Sequence, residues 1–380
     1  MIYQFGQTQG TDPISLLLSI FFYVIFIIFM FYGTKIQAWR ASKEIAAALG
    51  ELKTWNNEGK SLVIKKMQKY KDKNLSTKDL KVKIEDIMTF VTISPTNLDP
   101  AGIIPKLDHL INVRDDRFKE EIKILAPSAD SVTASNLENL LEASMALDFI
   151  YRLIRHYLIL GKKSKSMLLL MQIQMQLSLI MTMAKSYLHA TRAFKEGSPI
   201  GDALGPLVVA SLIRDISNRD DIEAIEIAKD TIYQQVEFED RIILLVRAKG
   251  PGGTVGKPGE AIKILVEKHK NEISRIIMID AGLKLEGDRT GSLAIGVGAA
   301  IGGIGVEKFK IEESTSGVKI PIDAVICRES LEDAITTMKR PITRSVPKII
   351  EKIKQAIRTR TEKGTKIIIA GIGNTIGIGI

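Results

Sequence analysis

Three glycine-rich stretches are where this sequence could most readily do chemistry: Gly250 to Gly259 (GPGGTVGKPG), Gly296 to Gly302 (GVGAAIG) and Gly371 to Gly377 (GIGNTIG). Glycine turns let main-chain amides approach an anion, so the chemistry at stake is phosphate or dinucleotide binding. None of the three meets its requirements. In the first, the offset before Gly256-Lys257 falls on Pro251, and Pro258 stands where a magnesium-holding Ser or Thr is needed. A dinucleotide fingerprint needs a helix opening at once and an acid about 20 residues on. The second stretch lies among further glycines, and only three residues follow Gly377. The single Cys327 forms no intramolecular disulfide or multi-Cys zinc site, and His109, His156, His189 and His269 show no paired ligand spacing. Neither metal nor cofactor is expected.

The elements that must position any site begin with an apolar run. Ser15 to Gly33 is 19 residues without a charge, the length that crosses a hydrocarbon core of about 30 Å. No Lys or Arg precedes it, whereas Lys35, Arg40 and Lys43 follow. A cleaved signal peptide would start with positive charge and end in a small-residue cleavage site. The positive-inside rule predicts a single-pass anchor in the cell membrane, N-terminus outside, with everything after Thr34 cytoplasmic. Met167 to Ala184 (MLLLMQIQMQLSLIMTMA) is also uncharged, but three glutamines, Ser178 and Thr182 interrupt it. It reads as a helix buried all round inside the soluble part, Met being common in irregular cores.

Charge is uneven. Between Thr34 and Lys83 thirteen Lys/Arg face five Asp/Glu, nearly all of the net charge of +9. The remainder is close to neutral, so nucleic acid is not an expected partner. The basic run has two readings: a segment drawn to the anionic headgroups of the lipid bilayer, or a solvated, partly helical stalk.

Helical spacing covers Ser76 to Phe90, about Lys106 to Ile124, and Asn136 to Leu160, with Pro95, Pro100 and Pro105 breaking the chain between the first two. From Pro199 the texture changes. Strand candidates at Arg241 to Ala248, Arg275 to Asp280, Ser292 to Val297, Ile322 to Cys327 and Lys366 to Gly371 alternate with helices near Leu204 to Ile216, Glu260 to Lys270, Ser330 to Met338 and Val346 to Arg358. Such alternation predicts an α/β domain with a mainly parallel sheet and helices on both faces. The expected organisation is a short extracytoplasmic tail (1–14), a transmembrane helix (15–33), a basic stalk (34–75), an all-helical domain without visible chemistry (76–198) and the α/β domain (199–380).

The terminal strand and its GIGNT loop lead into no helix, yet GDALGPLVVASL after Pro199 reads as a helix lacking its preceding loop. Joined in space, they resemble the fold shared by the spore-germination protease and the hydrogenase-maturation proteases. There a strand runs through a G-(I/L)-G-N loop into DALGP or D-(D/E)-G-I-G-P and a helix. The order here would be circularly permuted. Gly252 to Ala281 and Ser292 to Ile335 are similar to later segments of the germination protease in the same order. The whole chain also looks like an archaeal membrane-anchored family of unknown function.

The resemblance implies catalytic roles for Asp202 and Asp280. It also implies a binding cleft lined by Gly371, Gly373, Asn374, Thr375, Gly296, Gly298, Gly302, Gly303 and Thr254, with Asn374 orienting an aspartate. Two close carboxyls share a proton, so one activates water while the other protonates the scissile amide. The maturation proteases hold nickel with acids and a histidine; the region from Cys327 to Glu329 offers no histidine, so no metal is carried over. Beside this stand plainer readings. Asp202 is a helix N-cap and Asp280 fixes a loop. The expected function is a membrane-anchored, cytoplasm-facing peptidase with a protein or peptide substrate. The alternatives are a non-catalytic peptide- or anion-binding module using the same cleft, and a scaffold that self-associates through its helical domain.

Overall fold

The computed structural model describes residues 13–96, 102–217 and 222–379. The tail expected over 1–14 lies outside them up to residue 12. Five long or medium helices come first: α1 (Pro13–Met67), α2 (Thr77–Ile87), α3 (Ile103–Leu125), α4 (Ser131–Ser164) and α5 (Met167–Glu196). The expected anchor and most of the expected stalk are one unbroken helix, α1: no proline lies between Gly33 and Met67, and Gly50 and Gly59 cost only about 1 kcal/mol each. After a 3-10 turn at Gly201–Ala203 come α6 (Leu204–Ser217), β1 (Ile225–Ala228), β2 (Thr231–Phe238), β3 (Arg241–Ala248), α7 (Pro258–Lys268), β4 (Ile273–Leu283) and β5 (Leu293–Val297). The chain ends with α8 (Val306–Ser316), β6 (Ile322–Glu329), the short α9 (Leu331–Ile335) and α10 (Arg340–Thr343), α11 (Val346–Arg360) and β7 (Lys366–Gly371).

Two compact units result: Met1–Lys53 with Ile150–Met181, and Thr54–Phe149 with Thr182–Ile380. In the first, α1 buries Ala41, Ile45, Ala48 and Leu52, α4 buries Ile154 and Leu158, and α5 buries Leu170 and Leu177. Spacings of three, four and seven put each set on one helix face. Gln174 Nε2 donates to Glu44 Oε2 at 2.6 Å, fixing α5 beside α1. The stretch Pro13–Met30, mean hydropathy 2.6, has none of its residues buried, and α5 is the second described helix long and apolar enough to cross a bilayer. The expectation that α5 is buried all round is corrected: Leu168, Met175 and Leu179 are exposed, so its apolar residues exceed what its packed face holds.

In the second unit one seven-stranded sheet has the order β1-β2-β3-β7-β4-β6-β5. The expected mainly parallel sheet is corrected to a mixed one. β3, β7, β4 and β6 run parallel, while β1-β2, β2-β3 and β5-β6 pair antiparallel. The β2-β3 hairpin closes on Glu239 and Asp240 at φ 50° and 60°, the positive values that a two-residue turn matched to strand twist requires. Helices cover both faces. α6 and α11 meet Ile243, Leu245, Ile277, Ile367 and Ile369 on one side; α7 and α8 meet Leu244, Val246, Ile276, Met278 and Ile368 on the other. That two-sided burial is why KIIIA reads as a continuous apolar run. A third core joins the ends of α1 and α5 to α2, α3 and α4, and takes in Ile200 and Ile376 from the α/β segment.

Candidate functional site

The site forms where the strand carboxyl ends meet the start of α6. β7 ends in Gly371 and the chain turns through Gly373 at φ 129°, a conformation that favours glycine. A Cβ on Gly373 would overlap the Asp202 carbonyl oxygen, and one on Gly371 would overlap that of Gly205. Gly205 in turn lies 2.6 Å, measured from an added Cβ, from Ile372 N and 2.7 Å from Ile279 O. The terminal loop therefore lies directly against the segment that begins near Pro199, strands apart in sequence.

Asp202 does not cap α6. Its Oδ2 accepts the Asn374 main-chain N–H at 2.7 Å. The Asn374 side chain, expected to orient an aspartate, instead donates to Asn139 Oδ1 on α4 at 2.9 Å and accepts the Ile376 amide at 2.9 Å. Asp280, at the end of the buried part of β4, accepts the Ala281 amide at 2.8 Å, and the Gly302 amide also favours its charged form. Thr375 is tied to the loop of Thr254: its N–H donates to Thr254 O at 2.9 Å and its hydroxyl to Gly252 O at 2.7 Å. Gly253 is gripped by Ser135, Asn136 and Asn139 of α4. The helical segment read as lacking chemistry thus holds two loops of the site.

Gly296, Gly298 and Gly303 stand apart from that contact network, exposed, with open space where a Cβ would project. The Gly298 amide is engaged by Ile322 O, and the Gly302 and Asn374 amides face carboxylates. Taken up by a carbonyl and by two carboxylates, these donors do not stand open as an oxyanion pocket.

A third acid completes the cluster. Glu329 ends β6, is 1% exposed, and neither carboxylate oxygen has a hydrogen-bond partner among the described residues. It packs so closely on Gly201 that a Cβ there would overlap Glu329 Oε2. Burial, then the charges of Asp202, Asp333 and Asp280, push the Glu329 carboxyl up to about 8, the Cys327 thiol opposing weakly from the same strand. Asp280 is also pushed up to about 8, by burial and by Asp202, against its two amide donors. Burial raises Asp202 as well, opposed by the Asn374 amide. No Lys or Arg pairs with any of the three among the described residues, and three carboxyls in one low-dielectric site cannot all ionise cheaply. Asp333 behaves oppositely: burial would raise it, but Lys339 at 2.6 Å, Thr290 and Ser330 outweigh this and hold it at about 2. It completes the capping box that starts α9. Cys327, pushed up to about 11 by burial, stays a thiol.

Sequence reading missed Glu329, Asp333 and Asn139. The available signal for Glu329 was a carboxylate ending an otherwise apolar strand, IDAVICRE. Among the described residues no group of three His, Cys, Asp or Glu is placed to hold a metal. A cavity of about 330 Å³ is lined by His189, Arg192, Glu332, Thr336 and Lys339, not by the three acids.

Residues 19–197 match the family described as "Protein of unknown function (DUF1512) N-terminal domain", and 200–379 match "Domain of unknown function (DUF1512) C-terminal". The junction between the two falls beside Pro199, where the sequence texture changes. No curated protein matches the chain. Together the two matches run almost end to end, and the chain belongs to the DUF1512 family.

Proposed function

We propose that this chain is a membrane-anchored peptidase, facing the cytoplasm, whose fold is a circular permutation of the germination-protease type. Asp202 and Asp280 are its catalytic pair. The observation that carries this reading is their coupling: the charge of Asp202 acts on Asp280 at the sheet rim, and Asp280 is pushed up to about 8. Asp280, raised to about 8, keeps its proton at neutral pH as a general acid must, and in this reading Asp202 is the ionised partner that acid–base hydrolysis needs. The ionised member takes a proton from water as the oxygen bonds to the amide carbon. The protonated member gives its proton to the departing nitrogen, so water is consumed and an acid and an amine are formed. The bond from Asn374 to Asp202 supports the permuted order, because it ties the terminal loop to the start of α6. The charge asymmetry around Ser15 to Gly33 supports an outside N-terminus and cytoplasmic domains.

A second reading is favoured by the closeness of the packing. Asp280 and Glu329 are 8% and 1% exposed, which leaves little room for an attacking water and favours a module that binds a peptide or small anion along the glycine loops without cleaving it. The test is peptide-library cleavage by the full chain in lipid vesicles, with Asp202→Asn and Asp280→Asn. The peptidase reading expects each substitution to lower turnover by about 100-fold or more. Unchanged cleavage in either variant sinks it; peptide-dependent thermal stabilisation without turnover supports the binding module.

A further inference from the structure

The helical hairpin of α4 and α5 carries an exposed tip that neither reading above uses. Ile159 and Leu160 precede the turn, Leu168 follows it, and all three are exposed. Lys162, Lys163 and Lys165 lie between them, also exposed, and form no ion pair among the described residues. Apolar side chains interleaved with unpaired lysines are the composition of a surface that meets the boundary between headgroups and acyl chains.

The position of the tip says which surface. α1 leaves this compact unit at Lys53, the hairpin enters it at Ile150 and leaves at Met181. Just past these limits Asn56 donates to Asp148 at 2.8 Å and Arg192 to Glu58 at 2.6 Å, so the open ends of the hairpin lie beside α1 near Lys53 and its closed end points along α1 toward the apolar half. Gln174 is bonded to Glu44, and Met167 is seven residues nearer the turn, about 10 Å at helical rise. The tip therefore lies level with about Gln37. That is four residues, about 6 Å, beyond Gly33, within the depth of one headgroup layer. At the same level Tyr32 and Trp39 are exposed, each with a lysine over its ring, Lys35 at 5.3 Å and Lys43 at 5.3 Å. Aromatic and basic residues are what membrane interfaces collect.

We infer that the α4–α5 tip is a second membrane contact. Lys162, Lys163 and Lys165 engage anionic headgroups, and Ile159, Leu160 and Leu168 enter the interface beside α1. The inference rests on α1 spanning the bilayer. Two contacts at different points hold the unit upright, which one helix alone does not do.

The full chain suits a labelling test, because its single cysteine, Cys327, is buried and unreactive. A fluorophore is attached to Leu168→Cys, and separately to Phe26→Cys in the apolar stretch, and the chain is reconstituted into vesicles carrying brominated lipid. With about a third phosphatidylglycerol, the Leu168→Cys label should be quenched roughly twofold more than in pure phosphatidylcholine. Adding Lys162→Glu, Lys163→Glu and Lys165→Glu should abolish that difference. The Phe26→Cys label should be quenched in every case. A quenched Phe26→Cys label with an unquenched Leu168→Cys label in both lipids overturns the tip contact and leaves the anchor standing. Shielding of Leu168→Cys that grows with protein concentration in detergent overturns it in favour of a second copy of the chain. An unquenched Phe26→Cys label removes the anchor itself.

Discussion

Asp280 and Glu329 have folded-state values near 8, well above the ordinary carboxylate range, and Asp333 sits at about 2, below it. The linkage follows from proton counts. Between about pH 4 and pH 8 the folded chain keeps protons on Asp280 and Glu329 that the unfolded chain has released, so stability falls as pH rises through that window. Asp333 works the other way, its contribution being present above about pH 4 and lost as pH falls toward 2. Glu329→Gln keeps the shape and removes the charge. It should raise the melting temperature at pH 8, stabilising by about 1–3 kcal/mol, and flatten the fall between pH 5 and pH 8. An unaltered slope in that variant would mean Glu329 is not the buried acid described. Glu329 was illegible in the sequence because its burial depends on Gly201, far away in the chain, closing over the end of β6. The expected approach of Asp202 to Asp280 came only from the order of surrounding motifs, since one residue type before a helix or after a strand has ordinary structural uses.

Most strands that sequence revealed are buried on both faces, β5 being the exposed exception. β3, β4, β6 and β7 are short apolar runs, and α6, α7 and α11 repeat apolar residues at helical spacing. β1 and β2 escaped notice because Gln234, Gln235 and Glu237 break the apolar pattern, and their turn is Glu239-Asp240 rather than a glycine pair. That omission made the sheet look more parallel than it is. α8 also escaped, since VEKFKIEESTS has little apolar asymmetry; it buries only Val306, Ile311 and Thr315. Glycines separate by role at this scale. Gly205→Ala drives a methyl into main-chain atoms of Ile372 and Ile279, where neither neighbour is a flexible side chain. It should cost about 3 kcal/mol or more. Gly296→Ala projects into open space on β5 and should change stability by less than about 0.5 kcal/mol. Denaturant midpoints of the two variants compare them directly, and equal midpoints would remove the tight strand–helix contact from the account of the site.

At the scale of the molecule, β7 is the last strand in sequence and is hydrogen-bonded on both sides. Ile367 and Ile369 pair with Ile243 and Leu245 of β3, and with Arg275 and Ile277 of β4. Ile367 and Ile369 enter one core and Ile368 the other, all three fully buried. Each such side chain contributes about 1.5–3 kcal/mol, so with Ile372 and Ile376 the segment carries a share comparable to the whole stability of a domain, about 5–15 kcal/mol. The sheet cannot close until these residues are in place, and the long sequence separation between β3 and β7 makes that closure slow. A chain ending at Arg360 should keep helical circular dichroism, because α1 to α5 lie outside the sheet. It should lose the cooperative thermal transition of the α/β part and expose its two cores to a hydrophobic dye. A synthetic peptide covering 361–380 should restore the transition in a concentration-dependent way, since the gap it fills has a donor and acceptor row on each side. If the shortened chain melts at the same temperature as the full one, β7 is not the central strand, and the juxtaposition of Asn374 with Asp202 that the peptidase reading needs goes with it.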